Sequence, residues 1–185
     1  MWKWLVGILA VILLIGFWVG GIYNNIVGID QNVKQSWAQV ENQLQRRFDL
    51  IPNLVGTVKG YATHEKELFE NVTAARSAWA GAKTTQEKVN AANQAQGFLG
   101  RLIAVAENYP QLRASENFRA LQDELAGTEN RLAVARMRYN EAVQEYNTIV
   151  RRIPTVFFVN LFGFDKEKVF FETVKEAKEA PKVKF

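Results

Sequence analysis

The sequence predicts an all-α protein: a single amino-terminal transmembrane helix, an antiparallel up-and-down four-helix bundle, and an aromatic-rich carboxyl-terminal tail. Two observations carry this prediction. Residues 4–22 contain no charged side chain, and apolar residues then recur at helical spacing with few interruptions, in steps of three and four from Ile26 to Val58 and in separate stretches thereafter. No useful segment before residue 155 alternates with period two, so the main body offers no sheet. The expected division is an anchor over 1–22, a bundle over 23–153 and a tail over 154–185.

At about 1.5 Å of rise per residue, the uncharged run is long enough for a hydrocarbon core of about 30 Å. It also exceeds the apolar stretch of a cleavable signal peptide, and Val19-Gly20-Gly21 is a poor cleavage site. Trp2, Trp4, Trp18 and Tyr23 stand near its ends, where amphipathic rings favour the membrane interface. Gly16 and Gly20 form a G-x-x-x-G pair, a spacing that lets helix backbones approach in lipid, although glycine is common in membrane helices. Lys3 and the terminal amine precede the run, and only Lys34 follows within twenty residues, a lean of one charge toward a cytoplasmic amino terminus.

About 160 residues remain after the anchor, enough for one domain with a core. Lys and Arg total 23 against 19 Asp and Glu, a formal net charge of +4 spread along the chain. Such a surplus is not the footprint of a nucleic-acid binder, but it assists contact with anionic lipid. The chain has no cysteine, which excludes disulfides and thiolate metal sites.

The first bundle helix is expected over 23–60, with its apolar phase running unbroken through Pro52. It either continues the anchor as a stalk or hinges at Gly20, Gly21 and Gly28. The second, over 63–81, carries Leu68, Val72, Ala75 and Trp79. Thr84-Thr85-Gln86-Glu87 fits a capping box opening the third, over 85–108. Ser115 is placed to cap the fourth, over 116–152, which buries Phe118, Leu121, Leu125, Leu132, Tyr139, Tyr146 and Val150 before Pro154. Short connections favour antiparallel neighbours.

Catalytic constellations are missing. His64 is the sole histidine, so two-histidine zinc and paired Glu-x-x-His di-iron motifs cannot be built within one chain, and no phosphate loop occurs. His64 reads as a solvated residue near a helix start. No enzymatic activity, catalytic residue, metal site or cofactor is expected.

One string stands out: Gln43-Leu44-Gln45-Arg46-Arg47-Phe48-Asp49-Leu50-Ile51-Pro52-Asn53-Leu54-Val55. With Val58-Lys59-Gly60-Tyr61 and His64-Glu65, it resembles the signature of the LemA family of bacterial membrane proteins. Asn117-Phe118-Arg119-Ala120-Leu121-Gln122, then Leu125, Gly127, Thr128, Glu129 and Asn130, is similar to that family's second signature, and the resemblance extends essentially end to end. It implies a single membrane helix followed by a four-helix bundle, located in the bacterial inner membrane. A relative in magnetotactic bacteria takes part in forming the magnetosome membrane. The resemblance supplies no catalytic residues.

Two surfaces are candidate sites. Arg46, Arg47 and Asp49 can form an ion network with Glu129 or Asp123 of the last helix; alternatively Gln43, Arg46, Arg47, Asp49 and Asn53 present a polar docking surface. In the tail, Phe157, Phe158, Phe162, Phe164, Phe170 and Phe171 either fold over the bundle or form an apolar patch for lipid or neighbouring subunits. Val183 and Phe185 belong to a terminal strand-like stretch suited to addition to another chain. The expected partners are the lipid bilayer, further copies of the chain and other membrane proteins, with no nucleic acid. Two functions follow: a self-assembling scaffold that organises or shapes membrane, or a monomeric or dimeric adaptor that tethers or regulates another membrane protein.

Overall fold

A computed structural model describes residues 2–62 and 64–172. The expected terminal strand, with Val183 and Phe185, lies outside the described residues. Among the described residues every element is helical: α1 (Trp2–Lys59), α2 (Lys66–Gly81), α3 (Thr85–Glu107), α4 (Pro110–Ala114), α5 (Glu116–Arg151) and α6 (Thr155–Leu161).

In α1 the uncharged run and the amphipathic stretch form one helix. Of the two junctions open to the sequence, stalk and hinge, the backbone takes the continuous form through Gly20, Gly21 and Gly28, and it also passes Pro52, which lies on an exposed face. Among the described residues, the apolar beginning of α1 holds a window long and apolar enough to cross a membrane in which no residue is buried. A helix that is apolar all round and largely exposed matches lipid as its solvent.

Thr84 opens α3 through a full capping box. Its hydroxyl accepts from the Glu87 amide at 3.2 Å, and the Glu87 carboxylate accepts from the Thr84 amide at 3.1 Å. Pro110 starts the short α4, where the absent N–H is one that a first turn leaves unused. In α2 the buried stripe is Phe69, Val72, Ala75 and Trp79; Leu68 is only half-buried, so the inward face starts one residue later than expected. The helices α4 and α6 were not foreseen, since each is too short to establish a period.

The chain divides into two compact units. One comprises Met1–Ala38 and Arg138–Phe170, the other Gln39–Met137 and the chain from Phe171 on. In the first, Ile26, Ile29 and Val33 of α1 are buried, as are Tyr139, Val143, Tyr146 and Val150 of α5 and Val159 of α6. Trp37 meets Tyr139 with ring centroids 5.1 Å apart. In the second, the buried residues include Leu44, Phe48 and Val58 of α1, Trp79 of α2, Leu99 and Leu102 of α3, and Phe118 and Leu132 of α5. The α2 and α3 helices pack together, and Phe48 stacks on Trp79 at 5.0 Å.

Candidate functional site

In the first unit, the chain after α6 is an extended strap fastened by side chains that reach its backbone. The Tyr146 hydroxyl donates to the Asp165 carbonyl at 2.7 Å, and the Tyr139 hydroxyl to the Val169 carbonyl at 2.7 Å. Asn147 supplies both halves of an amide pair: its Nδ2 donates to the Lys168 carbonyl at 3.0 Å, and its Oδ1 accepts from the Lys168 amide at 2.7 Å. An asparagine side chain thereby satisfies a strap for which the described residues provide no neighbouring strand.

The charge beneath the strap is matched as well. Lys168 Nζ lies 2.8 Å from Asp30 and 2.6 Å from Asp165, and 5.0 Å from the Tyr146 ring centroid. Asp30, buried in α1, also pairs with Lys34 at 2.8 Å. Burial alone would raise the Asp30 carboxyl, but the two ammonium groups outweigh it and hold the group below the usual carboxylate range. Burial alone would lower Lys168, and Asp165 with Asp30 outweigh that, so it stands above the ordinary lysine value. Burial raises the hydroxyls of Tyr139 and Tyr146, keeping both as donors.

The phenylalanines divide between inside and outside. Phe158 meets Trp18 edge-on at 6.2 Å, and Phe162 meets Tyr23 at 5.1 Å and Phe158 at 5.7 Å. Phe164 lies 5.8 Å from Tyr23. Phe170 is half-buried, Phe171 is buried in the second unit, and Phe157 is exposed.

The second unit holds the signature residues. Arg46 donates from Nη2 and Nε to Glu124 at 2.6 and 3.0 Å. Arg47 pairs with Glu129, whose other oxygen lies 3.9 Å from Arg136. The expected network therefore forms with Glu129, and Glu124 takes the place considered for Asp123. Asp49 instead accepts from Gln45 at 2.9 Å on the same helix, and Asn53 is exposed. Burial lowers both Arg47 and Arg136 from the ordinary arginine value, against the pull of Glu129, and Arg47 lowers Arg136 further. Two guanidinium groups thus share one nearby carboxylate. The Arg136 guanidinium also lies 4.4 Å from the Phe171 ring centroid, a cation–π contact. Among the described residues, Gln43 Oε1, Arg47 Nε, and Nε and Nη2 of Arg136 are buried without a hydrogen-bond partner.

A surface groove joins the two signatures. Pro52, Asn53 and Gly56 line one side, and Asn117, Leu121 and Glu124 the other. Leu121, expected in the core, is half-buried because it faces this groove.

Asp30, Asn147 and Lys168 escaped sequence reasoning. The available signal was that Asp30 follows Ile26 and Ile29, and Asn147 follows Val143 and Tyr146, on the apolar faces of their helices. A polar residue there requires a partner.

The fold and these sites define an all-helical, membrane-associated protein with one candidate spanning helix at its amino terminus. Residues 36–185 match the LemA family, and the chain belongs to that family. It is similar to the magnetosome proteins MamQ 1 and MamQ 2 of Paramagnetospirillum magneticum (strain ATCC 700264 / AMB-1), at 25% identity over 176 residues in each case. It is 24% identical over 176 residues to the magnetosome protein MamQ of Magnetospirillum gryphiswaldense. Each match covers 81% of this chain and 65% of the relative, so the chain spans under two thirds of the length of these proteins.

Proposed function

We propose that the protein is a non-enzymatic, membrane-anchored scaffold that self-assembles and organises or shapes the bacterial membrane. Its folded part is proposed to be an antiparallel up-and-down four-helix bundle. The observation that carries this is α1 itself, one helix over Trp2–Lys59 that joins the apolar run to the folded region without a break. A continuous helix transmits orientation, so copies that associate above the bilayer would impose their geometry on the anchors below. Gly16 and Gly20 have open space around them, which suits close approach of a second span. The similarity to magnetosome proteins fits a membrane-organising role. Light scattering of the full-length protein in detergent, corrected for bound detergent, tests the proposal. A discrete large assembly supports it, and a monomer or dimer overturns it.

The groove shared by both signatures favours a second reading, an adaptor that docks another membrane protein there. Asn53→Arg with Asn117→Arg would fill the groove while sparing the Arg47–Glu129 pair. Loss of crosslinking to a membrane partner in cells, with helicity intact, supports the adaptor; undiminished crosslinking removes it.

A further inference from the structure

We infer that α6 is an interfacial helix that sinks its outer face into the leaflet where the α1 span ends, so that each chain holds the bilayer through two elements.

Depth comes from the aromatic contacts. Trp18 lies inside the uncharged run, four residues before Ile22, or about 6 Å before its end. Phe158 packs at 6.2 Å on Trp18 and Phe162 at 5.1 Å on Tyr23, so α6 lies beside the last turn of the run. Interfacial helices bury their apolar faces by about 5–10 Å, the same depth.

Facing comes from exposure. Thr155 and Val159 are buried, whereas Ile153, Phe157 and Leu161, spaced four apart, are 80%, 70% and 73% exposed. Phe157 and Leu161, four apart within α6, make one apolar stripe on the side away from the protein, and Ile153 adds exposed apolar surface in the turn before it. No charge occurs between Arg152 and Asp165, so α6 has no charged face to favour water. Arg152 precedes this stretch and Asp165 with Lys166 follow it, all exposed, where lipid head groups would meet them. The occupant of the stripe is therefore the bilayer that already surrounds the neighbouring span. Insertion of α6 depends on α1 being the anchor and is independent of self-assembly.

Because the chain has no cysteine, single nitroxide labels can be placed without removing native thiols. F157C and L161C would be labelled in the full-length protein, reconstituted in phosphatidylcholine–phosphatidylglycerol vesicles. L13C in the span and D123C on exposed α5 serve as references. The measurement is the ratio of collision with oxygen to collision with a water-soluble nickel chelate. The expected ratio at 157 and 161 is several-fold above that at 123, toward the value at 13. A ratio at both sites equal to that at 123, with 13 still lipid-like, overturns the inference while leaving the anchor in place. Shielding from both reagents marks a protein contact and also overturns it. A water-like ratio at 13 removes the anchor, and the inference with it.

Discussion

Lys168 and Asp30, far apart in sequence, meet at 2.8 Å where the strap crosses α1, and each is more than four-fifths buried as a side chain. Removing one member of such a pair leaves the other in a low-dielectric site. Lys168→Met is expected to destabilise the protein by about 2–3 kcal/mol, somewhat less than a fully isolated buried pair because Lys34 remains beside Asp30. Adding Asp30→Leu to that variant should recover most of the loss, since no buried charge is then stranded. Denaturant unfolding of the two variants in detergent, followed by near-ultraviolet circular dichroism, measures both values. A double variant less stable than the single one would contradict the pairing.

The same pair sets a pH window. Asp30 is depressed in the fold, so its contribution is present above the unfolded value of about 3.9 and is lost as pH falls through the lower folded value. Lys168 is raised, so its contribution is present below about 10.4 and is lost as pH rises through the higher folded value. The pair's stabilisation should thus be flat from about pH 5 to 9 and fall at both extremes. Melting midpoints should exceed those of the Asp30→Leu, Lys168→Met variant by a constant amount across that range and converge toward them in more acid and more alkaline solution. A difference unchanged from acid to alkali would show that the pair does not titrate with folding.

Glu129 faces two arginines that are mostly but not fully buried, Arg47 and Arg136. Glu129→Gln removes the carboxylate they share and should cost about 2 kcal/mol, below the ~3–5 kcal/mol of a deeply buried pair because Glu129 itself is about a third exposed. Arg136→Met in that background should be less damaging than in the wild type, because it relieves the repulsion left between the guanidinium groups. A double-mutant cycle with additive effects would refute the coupling.

The long apolar helix at the amino terminus was legible because absence of charge is a local property of the chain, and the other long helices because their period repeats many times. The capping box at Thr84 and Glu87 was legible because both halves lie within four residues. Arg47 with Glu129 could be anticipated only through the expectation that the first and last helices are neighbours. The strap was not legible: Asn147 recognises the backbone of Lys168, and a backbone group leaves no mark in sequence. The α6 helix was hidden for a different reason. In seven residues, apolar side chains directed at protein and at lipid look alike, and only Trp18 and Tyr23 separate them.

Gly28 decides whether the stretch of α1 that follows the apolar run is stiff by necessity. It lies inside α1, exposed, and a Cβ added there meets nothing within 4 Å. Glycine in a helix interior costs about 0.5–1 kcal/mol relative to alanine, so Gly28→Ala should stabilise by that amount. Gly28→Pro removes a helical N–H and should cost about 3 kcal/mol by breaking the helix. Spin labels at Leu13 and Gln35, both exposed and on either side of Gly28, would stand about 33 Å apart along a straight helix. A narrow distance distribution in the wild type, unchanged by Gly28→Ala and broadened by Gly28→Pro, identifies a rigid stalk. A broad wild-type distribution that sharpens with alanine would instead make Gly28 a hinge, and would remove the mechanical link on which the scaffold depends.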